Sequence, residues 1–159
     1  MNRNLLIFFS IVLITACTLP FSSKTVAKID MPSDIPNPVE LENKITKLYE
    51  SETNHDWRTW YSLASSLFKK EYSIEKFERV HWVANPEEEY SIVSWGIKNI
   101  TSITRPEEKL RNAYSVAVEM DIFVKVKGQS EPIKIKDATD YWVYFDNSWG
   151  WMWRGYPKD

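Results

Sequence analysis

The chain has 159 residues, 20 basic and 22 acidic, for a net charge of −2. It carries eight tryptophans, eight tyrosines, seven phenylalanines, four glycines and one cysteine. That balance lacks the clustered basic excess of a nucleic-acid binder. The single cysteine excludes an internal disulfide framework, and so few glycines leave little for a phosphate-cradling loop.

The chain opens on Met1-Asn2-Arg3-Asn4, followed by Leu5 to Ile14, apolar apart from Ser10. Counted on to Leu19, the run is still shorter than the roughly 20 apolar residues a membrane-spanning helix needs. A basic start, a short apolar core and a small residue before the cut describe a secretory signal peptide over residues 1–16. Ala16 suits ordinary cleavage, but Ile14, two residues earlier, suits it poorly.

Ile14-Thr15-Ala16-Cys17 resembles the bacterial lipobox: an aliphatic residue, a small pair, then cysteine. The resemblance implies that Cys17 becomes the mature N-terminus and carries lipid of the palmitate kind. Each buried methylene of such a lipid contributes about 0.8 kcal/mol of anchoring. The alternatives are ordinary secretion and an uncleaved helix with Cys17 buried in it. The expected location is the bacterial cell envelope. Thr18 rather than Asp after the cysteine implies the outer membrane in a bacterium that has two. Acylation of Cys17 leaves no thiol for redox chemistry or metal, so the fold must be held by its core alone. Loss of Arg3 with the signal takes the 20 basic residues to 19 against 22 acidic, a net charge of −3.

Residues 17–38 read as the lipidated cysteine and a tether. The segment holds Pro20, Pro32, Pro36 and Pro38 with several serines and no apolar periodicity, and if flexible it reaches about 25 Å. Residues 39–159 remain, enough for one small domain. Val39, Leu41, Ile45, Leu48 and Tyr49 predict a helix over Pro38–Glu52. Asn54 is a candidate cap for a second helix with Trp57, Trp60, Tyr61, Ala64, Leu67 and Phe68 on its apolar face. Ser73 is the candidate cap of a third, striped by Ile74, Phe77 and Val80, and Asn85-Pro86 ends the helical part.

Strands are predicted over Tyr90–Thr104, with a bulge or bend at Gly96, and over Tyr114–Lys127, Ile133–Phe145 and Trp149–Gly155. In the second, Val116, Val118, Met120, Ile122, Val124 and Val126 alternate with polar residues. Arg105 to Asn112 is a polar connection. Gly128 to Glu131 is a turn. The fold class is α+β: three N-terminal helices packed on a curved four-stranded antiparallel meander.

That order, with "DWRTWYSLASSLFKKEYSIEKFERV" and the closing "YWVYFDNSWGWMWRGYP", resembles the nuclear-transport-factor-2-like superfamily of cone-shaped α+β domains. The resemblance spans Val39 to Tyr156 and rests on element order and aromatic placement, not on a catalytic signature. A cystatin-like arrangement, one long helix on a sheet, is the rival.

A turn at Asn147-Ser148 pairs Tyr144 with Trp151 and Trp142 with Trp153. Directly opposite residues share a face, so Trp142, Tyr144, Trp151 and Trp153 form one aromatic patch. Val143, Phe145 and Met152 then join the aliphatic row of the second strand as core. An aromatic patch beside Glu119, Asp121, Lys125 and Asp140 is a candidate binding or interface surface. A homodimer, an envelope protein or a small apolar ligand in the cone are its expected partners; the membrane enters through Cys17. Members of the resembled superfamily dimerise through their sheets. The structural alternative is that the aromatics fill the mouth of the cone.

The same register sets Glu119 opposite Asp140, a candidate acid–base pair if the two share a proton. The plainer alternative is a solvated outer face with Lys125 and Lys136 nearby. His55-Asp56 reads as a helix start, His81 as a polar tip on an apolar body, and Asn99-Ile100-Thr101 as a sequon of little meaning in a bacterial lipoprotein. No cofactor motif or metal spacing is present. The sequence therefore predicts a lipid-anchored envelope binding or assembly module without catalysis, with a small carboxylate-pair enzyme as the alternative.

Overall fold

The computed structural model describes residues 31–84, 90–104, 110 and 112–155, excluding the side chains of residues 80–84 and 153–155. The signal segment, Cys17, the side chains of Val80 and His81, Asn85-Pro86, most of the connection at 105–111 and Tyr156 lie outside the described residues. Four helices precede a sheet: α1 (Pro38–Thr53), α2 (Trp57–Ser62), α3 (Ser66–Glu71), α4 (Ile74–Ala84), β1 (Tyr90–Ile103), β2 (Tyr114–Val126), β3 (Ile133–Phe145) and β4 (Ser148–Gly155). The sheet is an antiparallel meander in the order β1-β2-β3-β4. The α+β class is as the sequence predicts.

Pro38 opens α1, where its missing N–H costs nothing. Leu41, Ile45, Leu48 and Tyr49 are fully buried at helical spacing. Val39 does not join them; it is 66% exposed. Ile35, inside the segment read as tether, is buried in the main core, and the Trp149 indole donates to the Pro36 carbonyl at 2.7 Å. Residues just ahead of Pro38 therefore belong to the folded body.

The predicted second helix is two. Asp56, not Asn54, caps α2, its side chain accepting from the Thr59 amide. The helix stops at Ser62 because Leu63–Ser65 runs beside β4 instead. Ser65 N–H donates to the Trp151 carbonyl at 2.8 Å, and Trp151 N–H to that of Leu63 at 3.0 Å. Ser65 then caps α3, accepting from the Phe68 amide. Ser73 caps α4 as its position suggests.

The predicted aliphatic row is the heart of the core. Val116, Val118, Met120, Ile122 and Val124 are buried against Leu41, Ile45, Leu48 and Tyr49. Gly96 is itself in register opposite Asp121; the bulges of β1 lie on either side of it, at Val93 and Lys98.

One extra residue reverses the predicted faces. Ile122 pairs with Ile135, but Met120 pairs with Ala138, so Lys136 and Asp137 together oppose Asp121. Asp137 sits at φ 52°, in the left-handed region that Asp tolerates. Beyond this bulge the parity of β3 switches, and Asp140 faces Val118 rather than the predicted Glu119. A one-residue slip carries every following side chain to the other face. Trp142 consequently joins the aliphatic row.

The β3–β4 turn is Asp146-Asn147, both with positive φ, one residue earlier than predicted. It pairs Trp142 with Trp151 and Tyr144 with Trp149. An aromatic row does form on one face, with Trp149 completing it. Its face is the core face: Trp142 is 0%, Trp149 1% and Trp151 6% exposed, and Tyr144 packs against them. Trp151 lies 4.2 Å from Trp60, centroid to centroid, and Trp60 stacks on Phe77 at 4.7 Å. Val143 and Met152 form a separate small cluster with Leu67 and Leu110, against which Tyr141 and Phe145 pack. Trp153 pairs with Tyr141 across a bulge at Met152; its side chain lies outside the described residues.

Candidate functional site

The open aromatic surface does not form, because α1, α2 and α4 supply rings and aliphatic groups that cover Trp142 and Trp151. Each such burial contributes about 1.5–3 kcal/mol, so the patch serves the core. The Nε1 atoms of Trp142 and Trp151 are buried without a hydrogen-bond acceptor among the described residues.

Glu119 and Asp140 do not meet either. Glu119 pairs with Thr139, is 44% exposed at its side chain and lies 3.6 Å from the Lys98 ammonium. Asp140 is fully buried on the core side, and its Oδ2 accepts a 2.8 Å hydrogen bond from the Tyr49 hydroxyl. The β3 bulge sends one carboxylate in and leaves the other out, so they cannot share a proton. His55-Asp56 is the helix start expected: the Thr59 side chain and amide hold the Asp56 carboxyl below its ordinary value. Among the described residues no cluster of His, Cys, Asp and Glu is arranged to hold a metal.

The concave feature with convergent polar groups lies elsewhere. A cleft of about 220 Å³ opens between α1, the α2–α3 connection, α3 and the β3–β4 turn, with Lys44, Ser66, Lys69, Asp146 and Ser148 among its lining. Gly150 makes its floor possible. A Cβ there would lie within 2.7 Å of three Ser65 atoms, so only glycine lets the connection lie against β4.

One wall is a closed polar network. Lys44 Nζ donates to Ser148 Oγ at 2.7 Å and to the Trp149 carbonyl at 2.5 Å, and lies 3.0 Å from Glu40 Oε1. Glu40 Oε1 also accepts from Ser148 Oγ at 2.9 Å and from the Trp149 amide at 3.3 Å. Partial burial pushes the Glu40 carboxyl up, but the hydrogen bonds from Lys44 and Ser148 outweigh it and hold the group below its ordinary value. Lysine and glutamate one turn apart on α1 thus pin the turn to the helix.

The opposite wall carries Lys69. Its ammonium donates to the Ser62 carbonyl at 2.6 Å. Burial, with the charge of Lys44 across the cleft, pushes its pKa down. Neither lysine stood out in the sequence. The Glu40/Lys44 spacing was a legible helix pair, but nothing local shows that a turn 104 residues later completes it.

A second cavity, about 320 Å³, is lined by Asp34, Ser102, Ile103, Thr104, Leu110 and Tyr114, among others. Tyr114 and Ser102 hydroxyls are hydrogen-bonded there, and burial raises the Tyr114 phenol above its ordinary value. Ser115 also lines this cavity, and its hydroxyl is buried without a partner among the described residues.

The first cleft brings polar groups of α1, α3 and the β3–β4 turn together, with the Ser148 hydroxyl held between Lys44 and Glu40. No protein-family model and no curated protein matches this chain.

Proposed function

We propose that this protein is a lipid-anchored binding module of the bacterial envelope, working through the Lys44–Lys69 cleft and not through catalysis. Ile14-Thr15-Ala16-Cys17 supports the anchor, with outer-membrane sorting where two membranes exist. The observation that carries the binding role is the cleft itself: two lysines from different helices face one cavity, and one wall is locked by the Glu40–Lys44–Ser148 network. The order of helices and antiparallel strands supports a curved, cone-shaped domain of the nuclear-transport-factor-2-like kind, and the four bulges supply the bends such a sheet requires.

The hydrogen bond from Trp149 to the Pro36 carbonyl sets the cleft beside the chain that leads back to Cys17. Met31 follows Cys17 by 14 residues, and a random-coil chain of that length spans about 20 Å. The cleft is thus held near the bilayer surface. Mass spectrometry of the mature N-terminus tests the anchor. The expected product begins at a diacylated or triacylated Cys17 and stays with membranes on fractionation. An unmodified start beyond Cys17, or a Cys17→Ala protein that still fractionates with membranes, would contradict it.

A further inference from the structure

We propose that the cavity at the joint end of β1 and β2 binds a small neutral polyol of monosaccharide size, with Ser115 as its buried contact. The site is separate from the Lys44–Lys69 cleft and does not depend on the lipid on Cys17. The cavity, about 320 Å³, is lined by Ser102 and Ile103 at the end of β1, Tyr114 and Ser115 at the start of β2, and Asp34 and Leu110 among others. Ser115 is 4% exposed, and its hydroxyl has no partner among the described residues. A buried hydroxyl left without a partner is costly, and a ligand oxygen in this cavity supplies one.

The lining selects the ligand. Among the described residues it holds no lysine, arginine or histidine, so an anion finds no countercharge. Tyr114 and Ser115 are consecutive in β2 and point to opposite faces of the sheet. The cavity therefore wraps the end of the sheet. Its oxygens are spread along it instead of gathered about one point, as a metal ion requires. A ring or chain carrying several hydroxyls matches that spread. The Ser102 and Tyr114 hydroxyls are hydrogen-bonded to each other. Burial raises the Tyr114 phenol, Ser102 lowers it in part and the Asp34 carboxylate raises it again, so the phenol keeps its proton. Ser102, Tyr114 and Ser115 can each give and accept, as the hydroxyls of a polyol do. Beside them, Ile103, Leu110 and Ala113 offer apolar surface to the C–H groups of the same ligand. A few placed polar groups on an apolar lining are the ordinary make-up of a small-molecule site, and the volume lies at the lower end of the roughly 300–1,000 Å³ such sites occupy.

The test titrates the full chain in detergent with glucose and with N-acetylglucosamine while backbone amides are followed by NMR. Saturable shifts at Ser102, Tyr114 and Ser115 are expected with at least one of the two sugars. Ser115→Ala should weaken that binding about fivefold, the net worth of one hydrogen bond. It should not lower the urea midpoint, because the hydroxyl it removes has no partner in the fold. Asp34→Asn keeps an acceptor oxygen and should retain most of the binding. Saturation by neither sugar overturns the proposal, as does binding that Ser115→Ala leaves unchanged. A fall in the urea midpoint of Ser115→Ala also counts against it, since the hydroxyl would then be serving the fold. Propylammonium chloride is the charged control: saturation of the same amides, lost in Asp34→Asn, would assign the cavity to a cation and overturn the polyol. Should Ser115→Ala fail to fold, Ser102→Ala decides at an exposed position, with weaker sugar binding expected and unchanged binding fatal to the proposal.

Discussion

The hydroxyl of Tyr49 on α1 donates a 2.8 Å hydrogen bond to Asp140 on β3, and both residues are 0% exposed. Helix and sheet are thereby joined by a polar contact in the middle of an apolar core. Tyr49 also stacks on Trp95 at 5.0 Å. Tyr49→Phe keeps the ring and removes the donor. We expect a loss of about 1–3 kcal/mol in unfolding free energy by urea titration, the cost of removing one hydrogen bond to a buried carboxyl group. An unchanged midpoint would show that this bond contributes nothing net.

Gly150 is the point of closest approach between β4 and the α2–α3 connection. Gly150→Ala must push Ser65 away and break the pairing of Ser65 with Trp151. The expected cost is about 1–3 kcal/mol, with faster amide exchange at Ser65 and Trp151. The same substitution at Gly96, where a Cβ meets nothing within 4 Å, should be far milder.

Asp146 and Asn147 adopt φ of 53° and 60°, the conformation of a two-residue type I′ hairpin turn. Such turns favour glycine at the second place. Asn147→Gly should raise stability by about 0.5 kcal/mol, the balance of relieved left-handed strain and added unfolded-state entropy. A fall in thermal midpoint would show that the Asn147 side chain does something this geometry does not reveal.

Glu40 links stability to pH. Its folded pKa is depressed relative to the unfolded chain, because Lys44, Ser148 and Trp149 bond the carboxylate. The folded state therefore binds fewer protons than the unfolded one between the two values. The contribution is fully present above the unfolded carboxylate pKa and is lost as pH falls through the folded one. Glu40→Gln should flatten part of the acid limb when stability is measured from about pH 7 to about pH 3. Lys44 and Ser148 mark the same network, so Lys44→Met should flatten the same limb.

Legibility differed sharply between elements. The stripe Leu41, Ile45, Leu48, Tyr49 announces α1 because burial at 3.6-residue spacing needs only local sequence. The alternation from Val116 to Val124 announces β2 for the same reason at period two. "SLASS", with the strong helix formers Leu63 and Ala64, does not announce the split of the second helix; the decision came from Trp151, whose backbone pairs with that segment.

By itself, the sequence determined the α+β class, the meander, the polar helix starts at Asp56 and Ser73, though not which residue caps α2, and that Trp142, Tyr144 and Trp151 share a side of the sheet; Trp153, which pairs with Tyr141, does not join them. Which side they share was decided by the tertiary structure. The left-handed Asp137 adds one residue to β3, and no local pattern counts the rungs of a ladder against its partner strand. That rung swung Trp142 and Asp140 inward and left Glu119 outside. The cleft is equally a product of distance: Lys44, Lys69, Asp146 and Ser148 meet across three elements only because a residue without a side chain, Gly150, lets their backbones close. Period and composition are local properties of a chain, whereas register and close approach belong to pairs of segments.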